Sequence, residues 1–140
     1  MPEIVFWDTA AFIALGNARD DLHQAATKVS QELAQAQAHV LTTDAVLIEV
    51  ANTFSKVALR PIAWQLIEAM QASVALKAAT IVHVDTDLWQ RGWQLYRARS
   101  DKNWGLTDCI SFIVMEDYGI RRAFTYDQHF EQAGFVRLLK

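Results

Sequence analysis

The chain has 140 residues, enough for one domain with a buried core and too few for two ordinary domains, so we expect a single domain over residues 1–140. Apolar residues make up 52% of the chain and charged residues 21%, which excludes a disordered or collagen-like protein. The net charge of -3 disfavours a protein that binds nucleic acid through a generally basic surface, so any such binding must be local or assisted by metal ions.

Cysteine content and hydropathy together indicate a cellular compartment. The chain has one cysteine, Cys109, so no internal disulfide can form. Residues 1–3 lack the basic start of a secretory signal. Every apolar run is interrupted by a charge or an amide before it reaches the roughly 20 residues that a membrane span requires. We therefore expect a cytoplasmic protein without a membrane span.

The first elements are a short strand and a surface helix. Residues 4–7 form an apolar run that is too short for a helix, which predicts a buried strand closed by Asp8. Alanines and leucines then recur at helical spacing over residues 22–36. We expect a helix there, with Asp20 or Asp21 as its N-cap.

The middle of the chain predicts one strand and two helices. A brief second strand at residues 40–41 is followed by Thr43, which can cap a helix that runs to about Val57. Pro61 is well placed in the first turn of the next helix, which continues through Met70.

A third strand is expected at residues 79–84, where branched residues are frequent. Asp85 or Thr86 starts the helix that follows. Its aromatic residues recur at helical spacings of four and three, which favours a core or dimer stripe over a base-stacking platform. These residues are Trp89, Trp93 and Tyr96.

The last third of the chain predicts the most buried helix and two more strands. Residues 106–118 are apolar almost all round, and Gly119 ends that helix. A fourth strand is expected at residues 123–126 and a fifth at 136–139, after a short turn or helix around 129–134. Alternating strands and helices predict an α/β three-layer sandwich, with a mostly parallel sheet of four or five strands and helices on both faces.

Two acids follow predicted strands directly. Asp8 and Asp127 stand where the first and fourth strands end. In an open parallel sheet, ligands bind beyond the carboxyl ends of the strands, because the loops and helix starts leave a crevice there. Each aspartate alone is equally compatible with a turn or cap role.

Two further acids lie on predicted helices. On a helical wheel Glu49 lies close to Val46 and Val50, at the edge of the buried face, where a carboxylate needs a partner. Asp108 lies in the first turn of the most apolar helix, on the side of its buried residues, with Thr107 as the expected cap. Taken alone, Asp108 is better explained by its favourable interaction with the helix dipole.

Together the four acids predict a cation site. Carboxylates 4 Å apart repel each other by about 4 kcal/mol at an effective dielectric constant near 20, so a cluster of them must bind protons or cations. Oxygen ligands suit Mg²⁺ or Mn²⁺, and the histidines and the cysteine lack the spacing of a zinc site. Of the histidines only His129 lies near a candidate acid, and a turn or surface role is favoured for it.

Four segments resemble the PIN domain family, in particular its VapC-type toxin ribonucleases: FWDTAAFIAL, TTDAVLIEVANTF, GLTDCISFIVMEDYGI and FTYDQHFEQAGF. The resemblance extends nearly from end to end. It implies a Rossmann-like sheet with a metal-binding acidic pocket that hydrolyses RNA and leaves 3′-hydroxyl and 5′-phosphate ends. It further implies a Mg²⁺ or Mn²⁺ cofactor, pairing with a small antitoxin, and a homodimer.

The resemblance assigns roles to residues of this sequence. The catalytic and metal-binding set is Asp8, Glu49, Asp108 and Asp127. Asp101 is a further candidate acid, although a surface role suits it equally. Hydroxyl groups that could orient the carboxylates or bind water are those of Thr9, Thr107 and Thr125. Basic residues that could contact the RNA backbone, or serve only as solvated helix charges, are Arg97, Arg99 and Lys102.

Three other functions stay open on the sequence. The same acids would serve a PIN-type nuclease that processes RNA or cuts DNA. A PIN-fold binding module without catalysis is a second alternative, although all four acids are present. A receiver-like signalling domain is a third, but it needs a paired acid at the first site and a lysine after a later strand, and the chain has a lone Asp8 there.

Overall fold

The sheet is parallel throughout, with strand order β3-β2-β1-β4-β5 in the computed structural model, which describes residues 2–140. Parallel pairing requires each connection to cross over the sheet, and helices supply these crossovers. The strands are β1 (Ile4–Trp7), β2 (His39–Thr43), β3 (Ala79–Val82), β4 (Arg122–Phe124) and β5 (Val136–Arg137).

Seven α-helices are found in residues 2–140, with a short 3-10 turn at Val57–Leu59. None of the helices there combines the length and the apolar character that a membrane span needs. They are α1 (Thr9–Gly16), α2 (His23–Gln35), α3 (Asp44–Thr53), α4 (Arg60–Ala75), α5 (Thr86–Ala98), α6 (Leu106–Asp117) and α7 (Gln128–Gln132).

Apolar side chains cover both faces of the sheet, because neighbouring residues of a strand point to opposite faces. Val5 packs on one face with Phe124 and residues of α1 and α2. Phe6 packs on the other face with Leu41, Ala123 and residues of α3 to α6. The predicted α/β sandwich with a central parallel sheet is therefore confirmed.

Local sequence signals explain most helix ends. The Thr43 hydroxyl accepts a hydrogen bond from the Val46 N–H at 3.1 Å, and Asp85 caps α5 through the Leu88 N–H at 2.8 Å. Gly119, with φ of 65°, follows the last turn of α6 in a left-handed conformation that suits glycine.

Several predicted boundaries are wrong. Residues 9–16, for which periodicity predicts no element, form α1, because this segment is apolar on almost every side. Neither Asp20 nor Asp21 caps α2, which has Leu22 in the N-cap position without a side-chain cap; Asp20 instead accepts the Leu22 N–H in the preceding turn. The third helix stops at Thr53 rather than near Val57.

The fourth and fifth strands also differ from prediction. The structure shortens them to Arg122–Phe124 and Val136–Arg137, so Thr125 and Tyr126 lie beyond the strand. The register pairs Trp7 with Phe124, which places Asp8 and Thr125 side by side at the carboxyl edge of the sheet. This alignment sets the position of the candidate site.

Candidate active site

Asp8 is a buried acid at the carboxyl end of the central strand. Its side chain is only 4% exposed, and its N–H donates to the Phe124 carbonyl at 3.2 Å. The Thr125 hydroxyl, itself fully buried, donates to Asp8 Oδ2 at 2.8 Å. The carboxylate is therefore held in one orientation by the neighbouring strand.

The surroundings of Asp8 oppose its negative charge. The pKa of Asp8 is raised from 3.8 to about 7, first by burial and then by the charges of Asp108 and Asp127, against the lowering effect of the Thr125 hydrogen bond. A cation beside these acids would reverse this penalty, because an opposite charge favours the ionised form.

Asp127 is joined to Asp8 through the same threonine. Its N–H donates to the Thr125 hydroxyl at 3.0 Å, and its Oδ1 accepts the His129 N–H at 2.9 Å as the N-cap of α7. One buried hydroxyl thus fixes both strand-end acids, so the predicted role of Thr125 in orienting carboxylates has a direct geometric counterpart.

Asp108 reaches the same place from the start of α6. Its Oδ2 accepts the Gly105 N–H at 3.1 Å, so Gly105 is the N-cap and the expected cap role of Thr107 is wrong. Burial raises the pKa of Asp108, and the charge of Asp127 adds to this, while the Gly105 and His129 contacts lower it. The carboxylate therefore faces the strand-end acids, as expected from its side of the helix.

His129 belongs to this group, contrary to the turn or surface role favoured above. Its Nδ1 lies 3.3 Å from Asp108 Oδ2 and 3.2 Å from Asp127 Oδ1. Ligand atoms of these three residues all lie within 4.8 Å of one another. The signal in the sequence is the D-x-H spacing. An N-cap aspartate accepts the backbone N–H of the residue two positions later, which brings that residue next to the carboxylate. Asp8, Asp108, Asp127 and His129 are called the acid cluster below.

Glu49 lies at the rim and not against apolar neighbours. Its side chain is exposed, so the expectation of a partly buried carboxylate is wrong. The helical wheel shows neighbours on α3 alone, and the packing of the other elements leaves this side chain exposed. The Thr9 hydroxyl donates to Glu49 Oε1 at 2.9 Å, which ties Glu49 to the residue after Asp8. The Thr9 hydroxyl thus contacts a carboxylate, as its predicted role in orienting an acid requires.

Asp101 is paired elsewhere. Arg99 donates to both of its oxygens, at 3.0 and 3.1 Å, and the hydrogen bond lowers the pKa of Asp101. The Arg99 guanidinium also lies over the Trp104 ring, 5.1 Å from its centre. The structure therefore does not bring Asp101 into the acid cluster, and it engages Arg99 within the protein.

The remaining predicted residues lie on α5, on α6 and in the turn between these helices. Thr107 is half-buried and lines, together with Glu49, Ile48 and Trp89, a groove of about 500 Å³ between α3, α5 and α6. Arg97 is exposed near the end of α5. Lys102 is half-buried in the following turn. No structural observation assigns a contact with RNA to either basic residue.

The donor set fits a hard divalent cation. Asp108 and Asp127 offer carboxylate oxygens, the ligands that Mg²⁺ and Mn²⁺ prefer. The charges of these two acids also raise the pKa of Asp8, after the larger effect of burial. Cys109 is not a competing ligand, because burial raises the pKa of its thiol to about 11 and keeps it protonated.

An all-parallel sheet of this order, with acids beyond β1 and β4, belongs to a defined class. The PIN domain family matches residues 5–136, and the chain is a member of that family. The resemblance based on the four sequence segments is therefore confirmed.

Two relatives and one solved structure are similar along nearly the whole chain. The 23S rRNA-specific endonucleases VapC20 of two Mycobacterium tuberculosis strains are each 30% identical, over 96% of this chain and 98% of theirs. The crystal structure of Mycobacterium tuberculosis VapC20, a Sarcin-Ricin loop cleaving toxin, has a TM-score of 0.82 at 28% identity and covers 97% of this chain and 99% of that one.

Proposed function

We propose that the chain is a Mg²⁺- or Mn²⁺-dependent endoribonuclease of the toxin type, with Asp8, Glu49, Asp108 and Asp127 as its catalytic acids. The observation that carries the proposal is the convergence of Asp8, Asp108 and Asp127 at one edge of the sheet, where burial and mutual repulsion raise the pKa of Asp8 to about 7. The PIN family membership and the endonuclease relatives support the reaction class.

The residues of the site fall into two groups: those that would hold the metal ion, and Glu49, which is exposed to solvent. Asp108 and Asp127 would hold a divalent ion, with Asp8 behind them and Thr125 fixing its orientation. When bound, such an ion lowers the pKa of a water and neutralises charge that develops on the phosphate. The exposed carboxylate of Glu49, steadied by Thr9, is placed to accept a proton at the rim. From the family we expect 3′-hydroxyl and 5′-phosphate ends.

Binding of RNA would depend on few positive charges. The chain has a net charge of -3, and Arg99 is engaged by Asp101. Arg97 and Lys102 are therefore better candidates for contacts with phosphate groups. Arg99 would have to leave Asp101 before it could bind a phosphate. Because few phosphate contacts release few counterions, we expect the affinity for RNA to fall only shallowly as the salt concentration rises.

A toxin of this type would require a partner that blocks the site, and we propose a small antitoxin and a homodimer. Apolar side chains that core packing does not cover support such contacts: Ile48 and Trp64 are each 60% exposed, Trp89 46% and Trp93 40%. Co-purification from the host and measurement of the mass in solution test the two partners separately. A lone monomer in both measurements would exclude them. The expected cytoplasmic location stays part of this proposal.

The decisive experiment compares matched RNA and DNA oligonucleotides in Mn²⁺, in Mg²⁺ and in EDTA. We expect cleavage of RNA that needs the metal, with ends mapped as 3′-hydroxyl and 5′-phosphate. An oligonucleotide with the sarcin–ricin sequence of 23S rRNA should be included, because the relatives act on that RNA. Preferential cleavage of DNA would overturn the substrate class, and no cleavage of either, with the metal bound, would favour a binding module.

A further inference from the structure

We propose that Nδ1 of His129 is itself a ligand of the divalent ion, beside Asp108 and Asp127, and that this nitrogen makes the centre select Mn²⁺ over Mg²⁺. The proposal rests on the proposed metal-dependent function and narrows its cofactor. It adds to the four acids a residue for which the sequence favours a turn or surface role.

The geometry around Nδ1 suits coordination. Nδ1 lies 3.3 Å from Asp108 Oδ2 and 3.2 Å from Asp127 Oδ1. Two ligands at adjacent corners of an octahedral ion, each with a bond of roughly 2.1 Å, lie about 3 Å apart. All three donor atoms therefore need only small shifts to share one ion.

The His129 ring is held at this position by the core. The backbone N–H of His129 donates to Asp127 Oδ1 at 2.9 Å, and the next residue, Phe130, is fully buried. The Phe130 ring meets Phe112 edge to face, with 5.0 Å between the ring centres. Because Phe112 and Asp108 share α6, this contact holds the imidazole and the Asp108 carboxylate on a common support.

A second histidine shows what is particular about this arrangement. His83 Nδ1 also lies 3.2 Å from an aspartate oxygen, that of Asp44, but its side chain is 80% exposed and meets that carboxylate alone. His129 is 23% exposed and faces two carboxylates at once. An ordinary surface ion pair accounts for the position of His83. It does not account for the position of His129 between two carboxylates.

The chemistry of the nitrogen predicts the selectivity. Mg²⁺ takes oxygen ligands and keeps its waters, whereas Mn²⁺, a first-row transition ion, also binds at sites that mix nitrogen and oxygen ligands. In the tautomer with its proton on Nε2, His129 directs the Nδ1 lone pair between the two carboxylates, where a divalent cation would satisfy all three groups. A site built from carboxylates alone would distinguish the two ions much less.

The first test uses the wild-type protein loaded with Mn²⁺ alone and does not depend on activity. Pulsed electron paramagnetic resonance detects a nitrogen bound directly to Mn²⁺ through its magnetic coupling. We expect a coupling typical of imidazole, which should disappear in His129→Asn. His83→Asn, which alters the other histidine and aspartate pair, should keep it.

The second test measures the affinity for each metal by calorimetry. Because an asparagine places its amide near the position of Nδ1, His129→Asn keeps a polar group beside the carboxylates but loses the nitrogen ligand. We expect Mn²⁺ binding to weaken by about ten- to 100-fold and Mg²⁺ binding to change much less. His83→Asn should change neither, and circular dichroism checks that both variants are folded.

The outcomes separate this proposal from the proposed function. Bound Mn²⁺ without nitrogen coupling, in a protein that cuts RNA, would overturn the role of His129 and leave the nuclease intact. Nitrogen coupling without any cleavage would overturn the nuclease and keep the metal ligand. Equal losses of Mn²⁺ and Mg²⁺ affinity in His129→Asn would reduce His129 to a residue that positions the carboxylates, and failure to bind either metal would end both proposals.

Discussion

The acid cluster and the arginine-rich segment, residues 97–102, place aspartates in opposite electrostatic states. In the acid cluster the pKa of Asp8 and that of Asp108 are raised, first by burial and then by other acids. In the arginine-rich segment the pKa of Asp101 is lowered, first by its hydrogen bond to Arg99. Paired charges stabilise a local structure, whereas a cluster of uncompensated charges indicates a functional site, here one for a cation.

The largest effect should come from removing charge at the centre of the acid cluster. Asp108→Asn keeps an oxygen that can accept the Gly105 N–H, so the start of α6 should survive. We expect RNA cleavage to fall by more than the roughly 10- to 100-fold that loss of a supporting residue costs. Turnover of a labelled oligonucleotide at saturating Mn²⁺ measures this.

Asp117→Asn is the matched control for that variant. It makes the same change on the same helix, at an acid that Arg91 pairs through two hydrogen bonds of 2.6 and 2.7 Å. Cleavage should be unchanged there. Wild-type activity in Asp108→Asn, with the protein folded, would remove Asp108 from the site.

The next largest effect should come from the threonine that joins the two strand-end acids. Thr125→Val preserves shape but leaves Asp8 without its hydroxyl donor and the Asp127 N–H without its acceptor. We expect a loss of about 1–3 kcal/mol in the free energy of unfolding and a fall of about 10- to 100-fold in affinity for Mn²⁺. Chemical denaturation and calorimetry measure the two quantities.

Thr42→Val separates the two effects of that change. Thr42 is fully buried on the neighbouring strand and donates to the Trp7 carbonyl at 2.8 Å, so it lacks a carboxylate partner. This variant should lose stability and keep its affinity for Mn²⁺. If both threonine variants bound Mn²⁺ equally well, Thr125 would be a structural residue only.

A third prediction concerns the stability of the metal-free protein. The pKa of Asp8 is about 7 when folded against 3.8 ordinarily, so between these values the folded state keeps a proton that the unfolded state has released. Its stabilising contribution is complete below pH 3.8 and is lost as the pH rises through about 7. From pH 5 to pH 8 this group alone should lower the free energy of unfolding by about 3 kcal/mol.

Asp8→Asn isolates that contribution, since asparagine does not titrate. In EDTA the wild type should lose more stability between pH 5 and pH 8 than the variant does, as measured by denaturant unfolding at each pH. Mn²⁺ should restore the wild type at pH 8, because it binds the folded state. Parallel pH profiles for the two proteins would show that the titration of Asp8 does not cause the loss of stability.

The contrast between the two regions also explains what could be predicted from the sequence. Asp8 and Asp127 were found because a short apolar run followed by an acid is a local pattern, and strand ends of a parallel sheet share one edge. Asp108 was found because its helix is apolar almost all round. Each inference needed only the neighbours in sequence and one rule of topology.

The failures have a common physical cause. Glu49 was expected to be partly buried, but a helical wheel does not show which other element covers a residue, and nothing covers this one. His129 was assigned to a turn or surface, although its ring meets Asp108, 21 residues away. α1 escapes prediction because an apolar segment of only 8 residues is too short to show a helical period.

The smallest effect should come from the paired acid. Asp101→Asn removes the charge that engages Arg99. It leaves the possible metal ligands Asp108, Asp127 and His129 unaltered. We expect Mn²⁺ affinity and turnover to stay as in the wild type, and RNA affinity at low salt to rise slightly, because Arg99 is then free to meet phosphate. Fluorescence anisotropy with a labelled RNA at two salt concentrations measures this.

Arg99→Gln supplies the reciprocal variant, since it leaves Asp101 charged and removes the guanidinium instead. RNA affinity should then fall or stay constant, again with unchanged Mn²⁺ affinity. A large loss of metal binding or turnover in Asp101→Asn would place Asp101 in the active centre after all. In that case an arginine partner would no longer distinguish a structural aspartate from a catalytic one in this protein, and the comparison between the two regions would fail at its first step.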